Sequence, residues 1–237
     1  MNRGLFITGT DTGVGKTIVT AAIAVRLREQ GVDLGVMKPV SSGCVRRREG
    51  LVSEDAEFLA KAADVPGPLE DISPIRLAEP LAPTVAAARA RVELDLEPMW
   101  AAWRRLRRAH DVMLVEGIGG LLCPVTPRQS VADLAKTFGL PLLVVARSGL
   151  GAINHTALTV EVARARGLRV AGIVINRYHH ETVDLAEMTN PDEIRRVTGV
   201  DVLGLVPDDP TTNFREGIVG EDVLAAARQL ALGKALG

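Results

Sequence analysis

A short apolar run, Leu5-Phe6-Ile7, leads into Gly9-Thr10-Asp11-Thr12-Gly13-Val14-Gly15-Lys16-Thr17, and a helical pattern begins there. This feature constrains the fold most. A strand that bends through glycines and enters a helix at Gly-Lys-Thr makes a polyphosphate cradle. Glycines let backbone N–H groups point inward, and the helix N-terminus adds partial positive charge. In such a loop Lys16 reaches the β- and γ-phosphates and the Thr17 hydroxyl sits on Mg²⁺. Thr10 stands where the usual spacing has its first glycine, and Gly9 lies one residue earlier. The loop is therefore a variant, and ATP or a close relative is the expected ligand.

The rest of the chain must supply a sheet for that loop. Hydrophobic residues make up 47% of the 237 positions but aromatic ones only 3%, so the core has to be built from Val, Leu, Ile and Ala. Such a core suits parallel strands covered by helices on both faces. Apolar runs near 4–8, 33–37, 111–116, 141–146, 168–175 and 201–206 read as buried strands. Between them the pattern predicts helices at 16–30, 54–63, 96–109, 130–138, 151–166, 181–197 and 220–232. The segment 64–84 carries Pro66, Pro68, Pro74, Pro80 and Pro83 and is expected to be an irregular connection, with a helix from about 84 to 91. The alternation implies right-handed crossovers and an α/β fold of the three-layer P-loop NTPase type, with a mostly parallel, twisted sheet. One domain spanning 1–237 is expected. Ligands in such a sheet bind beyond the carboxyl ends of the strands.

Several strand ends turn from apolar to polar. The second strand stops at Lys38-Pro39-Val40-Ser41-Ser42-Gly43, with a lysine where ligand is expected and proline fixing the exit. The third runs Val112-Met113-Leu114-Val115 and ends at Glu116-Gly117-Ile118-Gly119-Gly120, a carboxylate placed to hold Mg²⁺ beside glycines that admit substrate. The fourth ends at Arg147-Ser148-Gly149-Leu150-Gly151-Ala152-Ile153-Asn154, where a helix start offers a second anion site. The fifth ends at Asn176-Arg177; the asparagine amide can match the N6/N7 edge of adenine or serve as a turn residue.

Taken together, Gly-Thr-Asp-Thr-x-Val-Gly-Lys-Thr, Lys-Pro-Val-x-Ser-Gly, Ala-Glu-Pro-x-x-Pro at 78–83, Val-Glu-Gly-x-Gly-Gly, Gly-x-Ile-Asn-His and Asn176 resemble the dethiobiotin synthetase family. The matching motifs run in the family's order from residue 8 to about 207. The resemblance implies an ATP-dependent carboxylate–amine cyclo-ligase of biotin synthesis, which closes an ureido ring on 7,8-diaminopelargonate using CO₂. It implies that Gly13, Val14, Gly15, Lys16 and Thr17 wrap the triphosphate, with Ile18, Gly117, Ile118, Gly119 and Arg177 beside the nucleotide. Thr17, Asp55 and Glu116 would hold Mg²⁺, and Lys38 would be the active-site lysine beside Lys16. Thr12 and Ser42 would contact the diamine. Asn176 with Pro207, Asp208 and Asp209 would frame adenine. Gly151, Ala152, Ile153 and Asn154 would take the substrate's far carboxylate from the partner subunit of a homodimer.

Other readings fit the sequence less well. A ParA- or MinD-like ATPase switch carries a signature lysine five residues before the loop lysine, and here Asp11 holds that place. A non-catalytic nucleotide-sensing module is the remaining alternative. Cobyric-acid-synthase-type amidotransferases and phosphotransacetylases share similar opening motifs but need a further catalytic domain. The net charge of −1 gives no general pull toward nucleic acid or acidic membranes. The run Trp103-Arg104-Arg105-Leu106-Arg107-Arg108 is expected to be a solvated helix face, so no nucleic-acid partner is expected. Cys44 and Cys123 form no CxxC pair and read as free thiols of a reducing compartment. With no secretory segment and no apolar stretch near the ~20 residues that span a bilayer, a cytoplasmic protein without membrane partners is expected.

Overall fold

The computed structural model describes residues 3–65, 67–181, 184–233 and 235–236. Pro66, assigned above to the irregular connection, and residues 182–183, assigned to the start of a helix, lie outside the described residues. The chain opens with β1 (Arg3–Gly9), α1 (Lys16–Glu29) and β2 (Leu34–Met37), followed by the short strands β3 (Val40–Ser41), β4 (Val45–Arg47) and β5 (Gly50–Val52). Next come α2 (Glu54–Ala63), α3 (Leu69–Ile72), β6 (Ile75–Arg76), α4 (Pro83–Ala90) and α5 (Glu97–Ala109). The middle of the chain is β7 (Val112–Gly120), β8 (Pro124–Thr126), β9 (Gln129–Ser130) and α6 (Val131–Phe138). It ends with β10 (Leu142–Arg147), α7 (Ala152–Ala165), β11 (Val170–Asn176), α8 (Leu185–Thr198), β12 (Val202–Val206) and α9 (Glu221–Gln229).

Six strands form one sheet in the order β12-β11-β10-β1-β7-β2, and every pairing within it is parallel. Successive side chains of a strand point to opposite faces, and both faces are covered, so the strands read as unbroken apolar runs. Leu5 and Ile7 of β1 enter a core with α1, α2 and α9 residues such as Val19, Phe58 and Val223. Phe6 faces the other way, among Met99 and Trp103 of α5 and Phe138 of α6. Phe138 is the hub of that layer, with ring centroids 5.7 Å from Phe6 and 4.9 Å from both Trp100 and Trp103. Truncating such a fully enclosed ring to alanine costs about 3–5 kcal/mol. A third cluster joins Val144 and Ile173 to Val160 of α7 and Ile194 of α8.

Helix starts follow local chemistry. Ser53 accepts from Ala56 N at 3.2 Å at the head of α2, and Ser130 with Asp133 forms a capping box on α6. Asp184 accepts from Ala186 N at 2.7 Å, so α8 begins at Leu185, later than the periodicity from 181 predicts. The helix α1 has no side-chain cap at Gly15, which leaves its first N–H groups available. Among the described residues no helix is long and apolar enough to cross a membrane.

Candidate active site

Strand register assembles the site. Ile7 lies opposite Glu116, so the carboxylate sits directly beneath the turn that leaves β1. Met37 lies opposite Val115, which carries the next residue, Lys38, alongside Glu116. Arg147 lies opposite Asn176, and Gly9 opposite Val145, closing the row of strand ends on the other side. The strand β7 differs from the sequence expectation: it continues past Glu116 to Gly120, which pairs with Gly9. Beside Glu116 the packing is close: a Cβ on Gly117 would lie 3.0 Å from Phe6 and 3.1 Å from Val131. Glu116 therefore projects from within a strand rather than from a loop, and its position is correspondingly rigid.

The charged centre is compact. Lys38 Nζ donates to Asp55 Oδ2 and to Glu116 Oε1, both at 2.6 Å. Thr17 Oγ1 donates to the same Glu116 oxygen at 2.9 Å. Glu116 is fully buried, and its Oε2 has no hydrogen-bond partner. Lys16, 7% exposed, points its Nζ at the carbonyl of Asp11 at 3.1 Å. Burial lowers the Lys16 pKa, helped by the charge of Lys38 and opposed by Glu116. Burial pulls on Lys38 in the same direction, but Glu116 and Asp55 outweigh it and hold its pKa above the ordinary lysine value. The two carboxylates thus favour Lys38 in its ammonium form.

Around this centre a cleft of about 340 Å³ is lined by Thr12, Gly13, Gly15, Lys16, Thr17, Ile18, Lys38, Ser42, Asp55, Glu116, Ile118, Gly119, Arg177 and Phe214. Thirteen of these fourteen lining residues were singled out from the sequence. Phe214 was not; it comes from the connection between β12 and α9, where no motif flags it.

Other expected residues stand elsewhere. Val14 and Gly117 are buried behind the cleft. Asn176 is 1% exposed and its Nδ2 donates to Val14 O at 2.9 Å, bracing the phosphate loop from below. That contact makes Gly15 obligatory twice over: its φ is +90°, and a Cβ would fall 1.9 Å from Asn176 Nδ2. Pro207 lines a separate groove with His180 and Asp222. The Asp209 carboxylate turns inward to Thr211 N at 2.8 Å, Thr211 Oγ1 at 2.6 Å and Asp222 N at 3.0 Å. Asp208 lies 3.9 Å from Arg177 Nε on the surface. Gly151, Ala152, Ile153 and Asn154 open α7 outside the cleft of their own chain.

A second groove of about 320 Å³ shares Thr12 and Gly119 with the first and runs on toward α7. Leu121, Leu122, Cys123, Leu158 and Val162 make most of its wall apolar, with His155 and Thr159 at the helix side. Leu122, Leu150 and Leu158 are 54%, 94% and 57% exposed, an unusual concentration of solvent-facing leucines around one end of α7. In the basic run 103–108, Arg104 pairs with Glu97 and Arg105 with Asp71, and in β4 Arg47 pairs with Glu57.

Known proteins share both the sequence and the fold. Residues 3–215 match the model of a family described as an AAA domain. The ATP-dependent dethiobiotin synthetase BioD of Anaeromyxobacter sp. (strain K) is 49% identical over 218 residues, covering 92% of this chain and 96% of that protein. The protein of the same name from Thermodesulfovibrio yellowstonii is 40% identical over 231 residues, covering 94% and 95%. Among solved structures, the septum site-determining protein MinD of Pyrococcus horikoshii OT3, complexed with Mg-ADP, aligns with a TM-score of 0.58 at 19% identity, covering 98% of this chain and 95% of that one. A ParA family ATPase from Chlorobium tepidum TLS aligns at 0.57 with 14% identity, covering 96% of each chain. At those identities the likeness to MinD and ParA is one of fold: a P-loop NTPase with a central parallel sheet.

Proposed function

Because the chain belongs to the ATP-dependent dethiobiotin synthetase family, we propose that it closes the ureido ring of dethiobiotin from 7,8-diaminopelargonate and CO₂, converting ATP to ADP and phosphate. It is an ATP-dependent ligase that forms C–N bonds, and its place is biotin biosynthesis. The observation that carries the reading is the position of Lys38, held at 2.6 Å from both Asp55 and Glu116 in the same cleft as the phosphate loop.

The reaction needs cations more than nucleophiles. One substrate amine adds to CO₂ and loses a proton, giving a carbamate. The γ-phosphoryl group of ATP passes to a carbamate oxygen and ADP departs. The second amine then attacks the carbamate carbon and expels phosphate. Each step gathers negative oxygens in a small volume, and phosphoryl transfer relies on positioning and charge stabilisation. Lys38 remains protonated, so its role is to hold the carbamate and the transferring phosphoryl group as an ammonium donor, not to take a proton. Lys16 and the N–H groups of Gly13, Gly15 and Thr17 cradle the triphosphate, using helix donors that no side chain caps.

The residues also suit magnesium. Thr17 Oγ1, Asp55 and the unpartnered Oε2 of Glu116 are hard oxygen donors at the phosphate end of the cleft. Two carboxylates and one hydroxyl leave room in a magnesium ion's shell for phosphate oxygens and water. Bound there, magnesium would neutralise triphosphate charge.

The diamine occupies the second groove, its amines near Thr12 and Ser42 and its aliphatic chain along Leu121 and Leu158. In this reading the protein works in the cytoplasm as a homodimer. Gly151 to Asn154 of one protomer bind the chain's carboxylate in the groove of the other, and the exposed leucines 122, 150 and 158 are covered. Arg177 borders the nucleoside end of the cleft, while Asn176 supports the phosphate loop from below. The deciding experiment incubates the protein with diaminopelargonate, labelled bicarbonate, Mg²⁺ and ATP. Label in a cyclic urea with matching ADP release is the expected result, and ATP turnover that ignores the diamine would refute the reading.

A further inference from the structure

The connection between β12 and α9 docks on α2, the helix that carries Asp55 in its first turn. It is built as a rigid strap. Asp209 gathers Thr211 and the N-terminus of α9, and Thr212 Oγ1 accepts from Gly220 N at 3.0 Å. Asn213 and Ile218 exchange backbone hydrogen bonds at 2.8 and 3.0 Å, closing a tight loop around residues 214–217. Lys61 of α2 donates to the carbonyl of Arg215 at 2.6 Å, which anchors the tip.

What this loop presents is an aromatic ring. Phe214 stacks on the fully buried Phe58 of α2 with centroids 4.2 Å apart and an interplanar angle of 16°. One face of the ring is therefore fixed by the core, while the side chain as a whole remains 38% exposed and lines the cleft with Thr17, Ile18 and Arg177. Packing on Phe58 uses only one face of the ring, and the other is left to a polar cleft. Phenylalanine offers no hydrogen bond, so its contribution there is a flat apolar face.

We infer that Phe214 is a nucleoside-binding residue, packing its free side against the ribose and base of the nucleotide whose phosphates occupy the loop at Gly13–Thr17. The inference rests on the ATP-site reading above and adds to it a contact that distinguishes a nucleotide from a bare polyphosphate. An aromatic contact with a base is worth roughly a factor of ten or more in affinity when replaced by alanine.

The test compares two ligands, ADP and inorganic tripolyphosphate, each with Mg²⁺, by calorimetric titration of the whole protein. Phe214→Ala is expected to raise the Kd for ADP about tenfold and leave that for tripolyphosphate unchanged. Phe214→Trp is expected to retain ADP affinity, and Phe214→Leu, which preserves packing on Phe58, to fall between. In turnover, Phe214→Ala should raise the KM for ATP far more than it lowers kcat. Lys16→Ala, in contrast, should weaken both ligands. Unchanged ADP affinity in Phe214→Ala, with loss in Lys16→Ala, would overturn this inference while leaving the ATP site standing. Equal weakening of ADP and tripolyphosphate would also overturn it, assigning the ring to the support of α2 alone. Failure of the unmodified protein to bind either ligand would overturn the ATP-site reading along with it.

Discussion

Lys38 Nζ lies 2.6 Å from Glu116 Oε1, although 78 positions separate the two residues in the chain. The pairing is produced by one register choice, Met37 against Val115 in adjacent parallel strands. Because Glu116 is fully buried and Lys38 almost so, neither charge is tolerable there without the other.

Glu116→Gln is accordingly expected to lower turnover by about 10²–10³ while preserving the contact with Thr17. Leaving Lys38 short of one buried counter-charge should also lower the unfolding free energy, by up to about 3–5 kcal/mol. Steady-state kinetics and urea denaturation of the same preparation check both parts; near-normal turnover would show that the carboxylate is not part of the reacting centre.

The Gly15–Asn176 contact gives a coupling test. Gly15→Ala should weaken nucleotide binding severalfold or more, since the new methyl group meets the Asn176 amide and the backbone φ of +90° is unfavourable as well. Asn176→Ala removes the first obstacle but not the second. In the double variant the penalty should be smaller than the sum of the two single ones, by about 0.5–3 kcal/mol. Strict additivity in calorimetric nucleotide binding would show that the amide does not brace the loop.

Asp209 supplies a pH-dependent prediction. The Thr211 hydroxyl, with the N–H groups of Thr211 and Asp222, lowers its pKa below the ordinary carboxylate value. A depressed acid pKa contributes stability that is complete above the unfolded value of about 3.9 and disappears as pH falls through the lower folded value. Thr211→Val should raise the Asp209 pKa, so that the strap loosens at a higher pH than in the unmodified protein. Carboxyl NMR titration reads the pKa directly; an unmoved value would remove Thr211 from the account.

Cys123 reports on the second groove. Burial pushes its thiol pKa up, so alkylation should be slow at neutral pH and accelerate toward alkaline pH. Once modified, the side chain would fill space beside Thr12 and Gly119, raising the KM for the diamine more than that for ATP. Cys123→Ser should keep activity and lose sensitivity to the reagent. Cys44 is buried and is expected to react little.

Much of this architecture was written in local patterns. The strand-glycine-helix passage from Leu5 to Thr17, the apolar runs and the solitary Lys38 and Glu116 each announce themselves within a few residues. What the sequence withheld depends on partners far along the chain. Asn176 shows two donors and an acceptor, but nothing nearby says that its NH₂ group belongs to Val14, 162 positions away. Phe214 sits in a polar stretch without periodicity, and its partner Phe58 looks like any core residue of an amphipathic helix. The short hairpin of β4 and β5 was equally hidden, because Arg46-Arg47-Arg48 reads as a charged loop until Glu57 is placed beside it. Even Glu116 was legible in identity but not in setting, because the pairing of Gly120 with Gly9 that extends its strand joins residues far apart in the chain.

The position of β1 has a consequence for synthesis on the ribosome. Its neighbours in the sheet, β7 and β10, begin at residues 112 and 142, and the side chain that props its loop is residue 176. The segment that carries the whole phosphate-loop signature is thus translated first, yet its set of supports is complete only when three-quarters of the polypeptide has been made. A ribosome-bound chain that stops short of residue 176 is accordingly expected to bind nucleotide less tightly than the finished protein.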